Sequence, residues 1–192
     1  MPALLLLFPL RLVNYIPAGG IRGLWIGPYL GDVYDMSTSG IGTASLVMGI
    51  AMIAGTLAYG PADRIFGTRK WVVVTGNAVV ALACFALAWW IDTGPVLSIA
   101  IIALIGFSGA SFPVIIAHAR SFFPPHLTGR GVTLLNLFGI GGVGIMQSLS
   151  GGLHGQIAET SPLLAYQALF ALFGLLSLIG VVIYCFSQDR TD

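Results

Sequence analysis

Apolar residues in this chain form long unbroken blocks, rather than the alternation of a half-buried strand or the single stripe of a soluble helix. Five intervals free of charge, 36–62, 71–91, 93–119, 131–158 and 160–188, each reach the roughly 20 residues that a transmembrane helix needs. They end at charges or at Gly, Pro and Asp turn signals. The first 31 residues are equally apolar but carry Arg11 and Arg22, which lowers their score in a hydropathy window. Residues 8–29 nevertheless make about 33 Å of helix, enough to cross with some tilt. A signal peptide is the competing reading of this segment; against it stand the lack of an early positive charge and of a small-residue cleavage site. The pattern therefore predicts an all-α membrane protein, residues 1–192 forming one six-helix transmembrane domain with spans near 8–29, 41–61, 71–91, 96–119, 132–153 and 163–186.

Composition agrees. Apolar residues make up 57% of the chain and charged residues 8%, too few charges to cover a water-soluble globule. A net charge of +1 offers no field for a nucleic-acid backbone. The charges are nonetheless sorted. Arg64, Arg69, Lys70, Arg120, Arg130 and Arg190 fall in alternate turns and the tail, while the opposite turns hold Asp32, Asp35, Asp92 and Glu159 with no Lys or Arg. By the positive-inside rule both termini are expected in the cytoplasm of a cell, with the chain in a bacterial inner membrane. Trp25, Tyr29, Trp89 and Trp90 fall at the expected outer interface, and Tyr59, Trp71 and Tyr184 at the inner one. Cys84 and Cys185 lie far apart in apolar runs and read as core residues; nothing in the sequence calls for a metal or a cofactor. Glycines at 42, 49 and 55, and at 139, 141, 142, 144, 151 and 152, suit close helix approach, either as a static seam or as a moving one.

Candidate chemistry sits on two crossings. Arg11, Tyr15, Ala18, Arg22, Trp25 and Tyr29 are spaced three or four apart and share a stripe of the first span. Arg22 lies deeper than the interface, where an arginine normally faces a bundle interior or a water-filled cavity. It binds an anionic group of a solute or pairs with a gating carboxylate in one reading, and snorkels or makes a fixed pair in the other. Pro17, Gly19 and Gly20 can loosen the helix beside it. Ser108, Ser111 and His118 share a side of the fourth span, which Pro113 should kink. His118 is either a proton relay or an ordinary interfacial histidine. Asn77, Asn136 and Gln147 read as interhelical hydrogen-bond partners. Gly106-Phe107-Ser108-Gly109 matches the G-x-S-G of rhomboid proteases, but the sixth span lacks the histidine base that such a serine requires.

A family resemblance lies in the turn Gly60-Pro61-Ala62-Asp63-Arg64-Ile65-Phe66-Gly67-Thr68-Arg69-Lys70, which resembles the loop signature G-x-L-A-D-R-x-G-R-K of the major facilitator superfamily. The Ala-Asp-Arg core, the following glycine and the basic pair are kept; the first glycine is one place nearer Asp63, and one residue is inserted before Gly67. Residues 20–33 look like the seventh helix of these transporters, and 120–131 with Asn136 and Gln147 like the tenth-to-eleventh connection. The resemblance implies the carboxy-terminal half of such a transporter, a 3+3 inverted repeat moving a small solute by alternating access. It places Tyr15, Arg22, Tyr29, Ser108, Ser111 and His118 on the substrate pathway, with a weak lean to anionic solutes. Asp63 and Arg64 would join a cytoplasmic gating network with Gly67, Arg69 and Lys70. The partners implied are the bilayer, a small-molecule solute and a second six-helix half. That half is a region lost upstream of Met1, a separate chain or a second copy; the start immediately before the first span favours the first. A non-transporting interaction subunit is the alternative.

Overall fold

The computed structural model describes residues 2–190; Met1, Thr191 and Asp192 lie outside them. Every regular element among the described residues is a helix, without strands. The first crossing is discontinuous: α1 (Pro2–Val13), α2 (Ile16–Gly20), a π turn (Ile21–Trp25) and α3 (Ile26–Tyr34). Pro17 explains the break before α2, because it lacks the N–H that would bond Val13 and its ring collides with that carbonyl. After it come α4 (Thr38–Phe66), α5 (Lys70–Trp89), α6 (Pro95–Gly109), α7 (Phe112–Arg120), α8 (Thr128–Ala158) and α9 (Pro162–Tyr184). α6 and α7 form one crossing, broken at Ala110 and Ser111, where the sequence placed its Pro113 kink. Five crossings are long and apolar enough to span a membrane by length and composition, and the segmented first one makes the sixth.

Side-chain caps fix two starts: the Ser37 hydroxyl accepts from Gly40 N at 3.3 Å, and the Ser161 hydroxyl from Leu164 N at 3.4 Å. α4 stops at Gly67, whose φ of +64° is the left-handed conformation that glycine adopts without a Cβ penalty. The long helices overrun the expected spans, α4 reaching 38–66 against 41–61 and α8 reaching 128–158 against 132–153. Hydrophobicity marks where a helix lies in hydrocarbon, whereas its backbone hydrogen bonds carry on into the interface.

α5 packs mainly on α9 and α6, α4 on α6, and α1 on α8 and α9. Two apolar clusters result. One gathers Trp25, Tyr29, Tyr166, Phe170 and Phe173 with Leu87 and Ile102; the other gathers Leu7, Leu10, Val73, Ile115 and Tyr184. Between them lies a buried polar knot. Asn14 Nδ2 donates to Asn77 Oδ1 at 3.1 Å and to Ser111 Oγ at 3.2 Å, and Asn77 Nδ2 donates to Ser111 Oγ at 3.1 Å. Asn14 and Ser111 stand at the breaks of the first and fourth crossings, so one hydrogen-bonded cluster ties both discontinuities to α5.

Two helices remain largely uncovered. In α4 only Ala44, Met48, Gly55 and Ala62 are buried, and in α8 only Gly131, Leu135, Gly139, Gly142 and Ser150. Leu46, Ile50, Ile53 and Leu57 of α4, and Leu137, Ile140, Ile145 and Leu149 of α8, are exposed.

Candidate substrate groove and inner charge cluster

A groove of about 520 Å³ opens between the first crossing, α4 and α8. Its polar lining is Tyr15, Arg22, Ser45 and Gln147; Gly19, Gly23 and Gly144 keep its walls low. Arg22 is exposed in this groove and forms no ion pair among the described residues. Its guanidinium lies beside Gly49 of α4, where a Cβ would stand 3.7 Å from Nη2. The Gln147 amide covers Gly23 so closely that a Cβ there would come within 2.9 Å of Nε2.

The six positions of the stripe expected on the first span differ in exposure, although Arg11, Tyr15, Arg22 and Trp25 all lie toward α8. The break at Asn14 and Tyr15 and the π turn at Ile21–Trp25, which has more residues per turn, both depart from a regular period of 3.6. Arg11, Ala18, Trp25 and Tyr29 are buried, Tyr15 is half-buried, and Arg22 alone of the six is exposed. Arg11 Nη2 donates to Asn136 Oδ1 at 3.1 Å, and the guanidinium lies flat on Gly139 of α8, where any Cβ would overlap it. Trp25 Nε1 donates to Ser150 Oγ at 3.0 Å, and its ring stacks on His154 at 4.8 Å between centroids. Tyr29, expected at the outer interface, is fully buried and donates to the Ile91 carbonyl at 2.7 Å, with Ser98 Oγ at 2.9 Å. A tyrosine inside the bundle finds its partner in protein rather than in headgroups.

The other pathway candidates lie inside the half. Ser111 belongs to the asparagine knot, and the Ser108 carbonyl accepts from the Tyr59 hydroxyl at 3.1 Å. His118 is buried, with Nδ1 on the Tyr184 hydroxyl and Nε2 3.0 Å from the Gln188 carbonyl. None of Tyr29, Ser108, Ser111 and His118 lines the groove in this conformation. Two residues of consequence carried little signal in the sequence. Ser45 sits in a small-residue run, and Asn14 lies beside the stripe rather than on it.

Where α4 connects to α5, Asp63 pairs with Arg69 at 3.1 Å, while its neighbour Arg64 is exposed on the last turn of α4. Asp189 of the tail draws the same turn inward. It accepts from Thr68 Oγ1, from Lys70 N at 3.0 Å and from Arg69 N at 3.3 Å. Partial burial alone would raise the Asp189 pKa. The Thr68 bond, the Lys70 N–H, the nearby His118 and the Arg69 N–H act the other way and hold it below the ordinary carboxylate value.

Segmented crossings, sorted charges and a polar groove on an open face define a polytopic helical membrane protein built as a six-crossing unit. The sequence pattern of the Major Facilitator Superfamily matches residues 7–192, and the chain belongs to that family. No curated protein sequence matches it. Among solved structures it is similar to the xylose transporter XylE from E. coli in an inward-open conformation, with a TM-score of 0.75 and 17% identity. The alignment covers 97% of this chain and 48% of XylE, so the chain has the fold of half such a molecule and spans about half its length. Membership in a family of membrane transporters sets the rhomboid motif at Ser108 aside as coincidence.

Proposed function

We propose that this chain forms half of a secondary active transporter and moves a small solute by alternating access through the groove between the first crossing, α4 and α8. The observation that carries the proposal is Arg22: a cation in an open polar groove, beside Tyr15, Ser45 and Gln147, with no carboxylate paired to it among the described residues. A guanidinium so placed favours a carboxylate or phosphate group on the solute. The uncovered faces of α4 and α8 flank the groove, and the structural match ends at half of XylE; both support a second six-helix half closing the pathway, as a separate chain, another segment or a second copy. Six basic residues on the side of Asp189 orient that end toward the cytoplasm of a bacterial inner membrane.

The test is the mass of the purified particle, followed on the same sample by proteoliposome uptake of radiolabelled phosphate and simple carboxylates. Saturable uptake that Arg22→Ala abolishes and Arg22→Lys partly retains is expected. Undiminished uptake by a correctly assembled Arg22→Ala protein overturns the assignment of the groove.

A further inference from the structure

A second groove lies on the opposite flank, away from Arg22. It encloses about 530 Å³ between α4 and α5, within the roughly 300–1,000 Å³ range of small-ligand clefts. Ala58, Tyr59, Phe66, Trp71 and Val72 line it, and Phe107 of α6 closes its floor. The polar atoms of its walls are already satisfied from within the protein. The Tyr59 hydroxyl donates to the Ser108 carbonyl at 3.1 Å, Thr75 Oγ1 to the Trp71 carbonyl at 2.8 Å, and Thr68 Oγ1 to Asp189. What remains is a largely apolar slot whose wall hydroxyl donors are taken up within the protein. Its exposed aromatic rings, Phe66 and Trp71, flank the connection between α4 and α5, and such rings are favoured at a membrane interface.

Charge marks the mouth of the slot. Lys70 Nζ sits 5.3 Å over the Trp71 ring and has no acidic partner among the described residues. Neither acid nearby reaches the Lys70 ammonium: Asp63 pairs with Arg69, and Asp189 accepts from Thr68 and the backbone N–H groups of Arg69 and Lys70. An apolar slot with an unpaired ammonium at one end has the polarity of a single-charged amphiphile. We infer that the groove between α4 and α5 binds an anionic phospholipid, one acyl chain in the slot and the phosphate at Lys70. The lipid comes from the leaflet on the side of Asp63 and Asp189, the inner one in the orientation proposed above; the slot and Lys70 do not depend on that orientation, nor on Arg22.

Trp71 supplies the readout, because it lines the slot. Trp89 and Trp90, exposed at the other end, are replaced by phenylalanine, and buried Trp25 is left as a constant background. The protein is then reconstituted with chain-brominated phosphatidylglycerol or chain-brominated phosphatidylcholine, whose bromines quench indole emission on contact. Phosphatidylglycerol should half-quench Trp71 at about fivefold lower mole fraction, the fold-change equivalent of the roughly 1 kcal/mol that one lysine contributes near an anionic surface. Lys70→Gln should abolish that preference while leaving quenching by phosphatidylcholine unchanged. Ala58→Phe, at an exposed position that fills the slot, should reduce quenching by both lipids. Equal quenching by the two lipids in the parent protein, or a preference that persists in Lys70→Gln, overturns the inference. Both readings concern Trp71 alone, so they stand or fall independently of solute uptake.

Discussion

Gly55 is where α4 and α6 approach most closely, and replacing it with alanine measures what that approach is worth. A Cβ at this position would lie inside van der Waals contact of the Phe107 carbonyl oxygen, 2.9 Å from the Phe107 carbonyl carbon and 3.0 Å from Ala110 Cβ. Two of those atoms are backbone, so no rotamer change relieves the overlap; the α4–α6 seam must open by about 1 Å or a helix must bend. Overpacking of this kind costs about 1–3 kcal/mol. For a chain of this length that corresponds to a loss of roughly 2–12 °C in Tm. Gly42, on the same helix, is the internal control, since a Cβ there meets nothing within 4 Å. Gly42→Ala should leave Tm unchanged or raise it slightly, because alanine has the better helix propensity by up to about 1 kcal/mol. Buried Cys84 provides the assay: in a Cys185→Ser background, a thiol-reactive dye reports its exposure as the protein is heated. A Gly55→Ala protein that melts with Gly42→Ala would refute the claim that the seam is set by backbone contact at Gly55.

Two further perturbations address the polar interior and the inner end. Asn14→Ala removes the donors to Asn77 Oδ1 and Ser111 Oγ at the point where two broken crossings meet. At about 0.6 kcal/mol per interhelical bond, with an upper value near 1.7, the expected loss is about 1–3 kcal/mol, read as a lower Tm by the same dye assay. The Asp189 contact should depend on pH in one direction only. A carboxylate whose pKa is depressed on folding holds its partners fully above the unfolded value of about 3.9, and releases them as pH falls through the lower folded value. In a Cys84→Ala background, a pH-insensitive, environment-sensitive dye attached beforehand to Cys185 should therefore keep its neutral-pH emission until strong acid, and should show the released emission at neutral pH in Asp189→Asn; a change in emission near pH 6 would contradict this.

Much of the architecture was legible in the chain because the bilayer is a severe solvent. A helix in hydrocarbon must satisfy its own backbone, so apolar length alone locates the crossings. The Ala62-Asp63-Arg64 motif was equally readable as sequence, but the expected turn at 60–70 is narrower in the structure: α4 continues through Pro61 to Phe66, and only Gly67, Thr68 and Arg69 connect it to α5. Which basic residue pairs with Asp63 was not legible: Arg69 reaches it, and the remote Asp189 helps to position that turn. The groove divides in the same way. Arg22 stood out because a cation in an apolar run is costly wherever it points. Its exposure beside Ser45 and Gln147, and the burial of Arg11 and Trp25 against α8 and of Tyr29 among α5, α6 and α9, were decided by how the other helices pack on a segmented first crossing. Periodicity assumes a constant rotation per residue, and where helices break, only the packing of the neighbouring helices determines which side chains share a face.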